Sequence, residues 1–197
     1  MSVAYLLVLA AAAASSPPPQ PDALAAQAMH NFGACVVDQT PQGARELLAM
    51  DYRSKPYQKK LQAMAQGHGR CAPNSRLRFN GVLFAGALAE ELLKTDVKAA
   101  DLPKRLAFDA ARETIPARSP TETMALCTVL KAPDASIALF GTEPATHEEG
   151  QALRALVPVM TECLTKDMKV EANGPALRSI LALAAWRIAM TPVRAAQ

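Results

Sequence analysis

Four cysteines fall into two pairs of equal spacing, and this constrains the chain more than any other feature. Cys35 and Cys71 are 36 residues apart, and so are Cys127 and Cys163. The residues between them follow the same offset. Val37 meets Val129, Pro41 meets Pro133, Leu47 meets Leu139, Leu61 meets Leu153 and Ala63 meets Ala155. One residue of slippage beyond the second cysteine brings Asn80-Gly81 onto Asn173-Gly174 and Leu88-Ala89 onto Leu181-Ala182. Self-similarity at a fixed offset governs every later fold assignment. It predicts a tandem duplication, with one unit over 22–97, a connector over 98–118 and a second unit over 119–191.

Equivalent units each hold their own bridge, so the expected disulfides are Cys35–Cys71 and Cys127–Cys163. An even cysteine count in an exported chain is read for disulfides first. The competing reading is a metal site in which His30, Cys35, His68 and Cys71 supply two nitrogens and two sulfurs. These spacings match no standard zinc pattern, and the second unit lacks the histidines. No metal or other cofactor is expected. The absence of a Cys-x-x-Cys argues against a thioredoxin-type centre and c-type haem attachment.

Export is read from the start of the chain. Ala4 to Ala14 is continuously apolar, long enough for a signal-peptide core and too short for a membrane span of ~20 residues. The expected cleavage follows Ala14, giving a signal peptide over 1–14, a Pro-rich leader over 15–21 and a single helical domain over 22–197. No segment of the mature chain is expected to span a membrane. The expected location is the periplasm or the medium.

Composition favours helices. Hydrophobic residues make up 50% and aromatics only 5%, so the apolar mass is Ala, Leu, Val and Met, which suits close helix contacts better than a β-sandwich. The net charge of +3 is too small to suggest nucleic-acid binding. The expected fold is all-α, a pseudo-symmetric bundle of eight or nine helices. Either unit alone, at ~75 residues, buries only a modest core.

The periodicities place the helices. Leu24, Ala28, Phe32, Cys35 and Val36 share one face of a helix over 22–37. Thr40-Pro41 starts a second helix, and a third runs over 56–68 until Gly67 and Gly69 end it. Asn80-Gly81 leads into a strongly apolar helix to Lys94, and Leu102, Leu106 and Ala110 suggest a connector helix over 102–113. Ser119-Pro120-Thr121-Glu122 and Thr146-His147-Glu148-Glu149 are capping boxes; the first opens a helix with Met124, Cys127 and Leu130 on one face, the second a helix that carries Leu153, Leu156, Val157, Met160 and Leu164 inward. Pro158 is expected to kink the latter. A short helix over 133–140 lies between them, and the last runs from Asn173 to before Pro192.

Catalytic motifs are missing. There is no Gly-x-Ser-x-Gly elbow, Walker loop, dinucleotide fingerprint or His-Glu-x-x-His helix, and no catalytic residue is assigned. Glu90 and Glu91 are adjacent, so they do not face each other on a helix; Glu91, three residues from Leu88, is expected at the edge of the core in a salt bridge or hydrogen bond. Arg70, Arg76 and Arg78 form a small basic cluster near Cys71. The weak binding candidates are His68, Arg76, Arg78 and Glu91.

The order Cys35, Pro41, Leu47-Leu48, Cys71 and Asn80-Gly81, repeated from Cys127, resembles small exported helical proteins of alphaproteobacterial type with no assigned function. The resemblance implies export and a helical fold, and no activity. The expected function is a non-enzymatic binding module for an envelope protein or a small apolar ligand. The alternatives are an enzyme with its site in the first unit, or a structural or stress-protective envelope protein. A cavity between the two units would favour the first reading.

Overall fold

The computed structural model describes residues 21–72, 80–166, 168 and 172–194. The expected signal peptide, nearly all of the leader, and the turn that carries Arg76 and Arg78 lie outside these residues. Nine α-helices occur among them: α1 (Pro21–Gln39), α2 (Pro41–Ala49), α3 (Lys55–Gly67), α4 (Gly81–Asp96), α5 (Leu102–Leu106), α6 (Pro120–Lys131), α7 (Pro133–Phe140), α8 (His147–Glu162) and α9 (Gly174–Met190). The described residues contain no strand, only an isolated antiparallel bridge between Arg112 and Val193. None of these helices is by itself long and apolar enough to cross a membrane, and α6 and α7 are bent by 103° where they meet.

Polar side chains start most of these helices. Ser54 Oγ accepts the Tyr57 N–H at 3.2 Å, and Asn80 Oδ1 accepts the N–H groups of Val82 and Leu83. Ser119 Oγ accepts the Glu122 N–H, Thr146 Oγ1 the Glu149 N–H and Asn173 Oδ1 the Ala176 N–H. Each satisfies a first-turn donor that has no acceptor within the helix. Thr40 differs, because its hydroxyl lies 2.9 Å from His68 Nε2 and makes no cap bond.

Helix α4 lies at the centre of the core and packs mainly on α1 and α9. Every residue from Phe84 to Leu88 is buried, as are Ala89 and Glu90. A helix buried on most sides shows no narrow apolar stripe. Two glycines permit the close approach. A Cβ on Gly86 would sit 2.5 Å from Ser179 Cα of α9, and one on Gly33 would sit 3.1 Å from the Ala87 carbonyl carbon. Phe32 of α1 meets Phe84 of α4 with ring centroids 5.3 Å apart.

Cys35 is bonded to Cys71 and Cys127 to Cys163, with Cα–Cα distances of 5.7 Å in both. The first bridge ties α1 to the segment that follows α3, and the second ties α6 to the residue that follows α8. The zinc alternative is thereby excluded for this state, since both of its thiols are consumed.

The connector is shorter than its periodicity suggests. Helix α5 stops at Leu106, and Phe108 is 74% exposed. Asp109 Oδ1 accepts the Ala111 N–H at 2.8 Å, a local turn that competes with helix. Arg112 then caps carbonyls from two elements, donating to Arg105 O, Ala107 O and Ile188 O. Helix α8 runs through Pro158 as one element and ends at Glu162, so Leu164 lies beyond it, and Val157 is exposed rather than inward.

Candidate functional site

An apolar cleft of about 390 Å³ opens between helices from the first and second halves of the chain. Its walls come from the end of α2, from α3, from the first turns of α4 and α6, and from the middle of α9. Leu48, Leu61, Ala85, Ile180, Leu183 and Trp186 supply much of the apolar surface. Trp186 is the only tryptophan of the chain. A volume of this order is within the range of small-molecule sites, ~300–1,000 Å³.

The polar groups of the cleft lie on known supports. Glu122, in the first turn of α6, reaches back past the N-cap: its Oε2 accepts the N–H of Arg118, the residue before Ser119, at 2.6 Å, while its Oε1 pairs with Arg187 of α9. Arg187 also donates to Pro116 O at 3.1 Å. Arg118 donates from Nη1 to Met50 O at 3.0 Å, and its guanidinium carbon lies 5.9 Å from the centre of the Tyr52 ring. The nearby Asp51 carboxylate is engaged by Arg53, which donates from its backbone N, Nε and Nη2. Those bonds hold Asp51 down to about 2. Burial pushes the Tyr57 phenol up to about 12, against a smaller opposing pull from Arg118.

A second polar constellation is buried beneath the α4–α9 contact. Arg178 donates from Nε and Nη2 to the two oxygens of Glu90, both at 2.7 Å. It also reaches Glu149 Oε1 at 3.3 Å, Thr142 Oγ1 at 3.0 Å and Thr142 O at 2.9 Å. Glu149 is the capping-box residue of α8, and its other oxygen accepts the Ala145 N–H at 2.8 Å. Ala145 is in the left-handed region with φ 58°, so this bond holds a strained turn in place. His30 Nδ1 lies 3.9 Å from Glu90 Oε2. Burial lowers the His30 pKa; Arg178 and Lys94 add to that, while Glu90 and Glu143 oppose it. The space that opens among the described residues here is about 20 Å³, room for one water. This cluster locks helices together and offers no ligand cavity.

Comparison with protein-family models, with curated proteins and with solved structures finds no match to this chain.

Neither of the two candidates that fall among the described residues, His68 and Glu91, lines the cleft. His68 Nδ1 lies 2.8 Å from Met64 O and its Nε2 faces Thr40, so it closes the end of α3 onto the start of α2. Glu91 pairs with Lys94 at 3.2 Å, one turn along α4. His68 and Glu91 share no partner. Arg76 and Arg78 lie outside the described residues. The cleft residues escaped sequence reasoning because Tyr57, Arg118 and Trp186 are each unremarkable in their own segments. The available signal was the capping box at Ser119–Glu122 next to an arginine, and a single tryptophan on the last helix.

Proposed function

We propose that this protein is an exported, non-enzymatic helical module that binds a small, mainly apolar ligand in the cleft between its two units. The cleft itself carries the reading. Unfilled apolar volume forfeits dispersion contacts, and a bound apolar ligand would supply them. The described residues lining it include no histidine, cysteine or aspartate, and its one carboxylate is fully engaged by Arg187 and the Arg118 N–H. That chemistry suits holding a ligand better than transforming one.

Two further readings support this proposal. Structural disulfides persist in oxidising compartments, which favours the periplasm or the medium. The tandem duplication accounts for the order of the elements. In both α1–α4 and α6–α9, a cysteine-bearing first helix is followed by a short one with Pro at its start. A third helix capped by Ser54 or Thr146 comes next, then a fourth capped by Asn80 or Asn173. A duplicated pair of units joined through α4 and α9 leaves a seam, and the cleft lies along it.

Trp186 makes the test direct. Titrating the oxidised protein with 1-decanol should shift the Trp186 emission saturably and raise the thermal midpoint. An emission spectrum and midpoint unmoved up to the solubility limit of decanol would remove the reading.

A further inference from the structure

The cleft is not electrically neutral. Among the described residues that line it, two arginines and one glutamate are charged, which leaves one positive charge unmatched. Arg187 is neutralised by Glu122. Arg118 has no carboxylate within 4.0 Å among the described residues, and its bond to Met50 O uses only one of its five N–H donors. Two helix N-termini converge on the same region, α4 at Asn80–Val82 and α6 at Ser119–Glu122. Their dipoles favour negative charge, though neither alone would make a site. Tyr57 brings a hydroxyl to the same wall, with no hydrogen-bond partner among the described residues. Apolar side chains of α3, α4 and α9 form the rest.

We infer that the ligand is a monocarboxylate amphiphile, its head held by Arg118 and its apolar tail lying against Trp186 and Leu61. This rests on the cleft being a ligand site, and adds the chemistry of the ligand. A guanidinium meets a planar carboxylate with two parallel N–H bonds, which a hydroxyl or ester head cannot reproduce. A single net positive charge matches a single negative one. An engineered cavity of about 150 Å³ holds benzene, so a cleft of about 390 Å³ has room for a tail of roughly ten to fifteen heavy atoms. A saturated chain of ten carbons, head carbon included, is a suitable probe.

The test compares decanoate with 1-decanol, each below its aggregation concentration, by calorimetric titration of the full oxidised protein at pH 7. Decanoate should bind tighter by roughly ten-fold, as expected for a charge-assisted bond in a partly dry site. Arg118→Gln should bring decanoate down to the level of decanol while leaving decanol binding within about two-fold. Arg118→Lys should keep part of the preference, since the charge remains and the fork is lost. Unchanged decanol binding shows that the variants still fold. Equal binding of the two probes by the unaltered protein would overturn the carboxylate inference and leave the apolar cleft standing, as would a preference that survives Arg118→Gln. Failure of both probes to bind would instead remove the cleft reading itself.

Discussion

Arg178 of α9 and Glu90 of α4 face each other through two hydrogen bonds of 2.7 Å, with both side chains buried. A charged pair removed from water gains little net stability over an apolar pair, but losing one partner strands the other charge. Here the stranding would be double, because Glu149 also relies on Arg178. Arg178→Met should therefore lower the unfolding free energy by about 3–5 kcal/mol, measured by urea denaturation. Adding Glu90→Leu to that variant should restore part of the loss. A single variant as stable as the unaltered protein would show that the cluster is not the clamp described.

The α4–α9 contact depends as much on an absent side chain. A Cβ on Gly86 would meet both the Cβ and the Cα of Ser179, and backbone atoms yield less readily than a flexible side chain. Gly86→Ala should cost about 1–3 kcal/mol despite its gain in helix propensity. Gly67→Ala serves as control, because nothing lies within 4 Å of its added carbon. Equal effects at the two positions would contradict the close approach.

The two disulfides should differ in access. Cys163 is buried, whereas Cys35, Cys71 and Cys127 are half-buried, so the second bridge exposes one sulfur and the first exposes two. Under limiting reductant and mild denaturant, alkylation should mark Cys35 and Cys71 before Cys127 and Cys163, read by peptide mass mapping. Each bridge closes a loop of similar length, so replacing either pair by serine should cost about 4 kcal/mol in the chain-entropy model. A protein indifferent to loss of both would show that burial alone holds the units.

His30 gives the fold an acid-sensitive element. Its folded pKa lies below the ordinary 6.5, so the unfolded chain takes up a proton first as the pH falls. Stability from this residue is complete above about pH 7.5 and is lost as the pH drops through 6.5 towards the folded value. His30→Gln should flatten the fall of unfolding free energy between about pH 7 and 5, where carboxylates contribute less. The same slope with and without His30 would place the acid sensitivity elsewhere.

The helices were legible where a local signal existed. Capping boxes at Ser119 and Thr146 and the cap at Asn173 act over three residues, so the sequence displays them directly. The ionic clamp was not legible. Adjacent glutamates on α4 suggested Glu91 as the residue at the edge of the core, and Glu91 does make a surface pair with Lys94. The buried residue is Glu90, whose partner lies 88 positions away on α9. The clue was the apolar and small run from Phe84 to Ala89, which marks a helix enclosed on most sides; a charge on such a helix needs a distant partner. The cleft was still less visible, because its walls come from separate helices and each residue in isolation reads as core or cap. Only the expectation of a seam between two units pointed towards it.

The most direct test of the account is a crystal structure of the oxidised protein grown with 10-bromodecan-1-ol, whose bromine marks the chain end by anomalous scattering. The account predicts one dominant bromine peak inside the cleft, with the alkyl chain against Trp186 and Leu61. A saturated crystal with bromine bound elsewhere, or with the cleft closed by its own side chains, would contradict it.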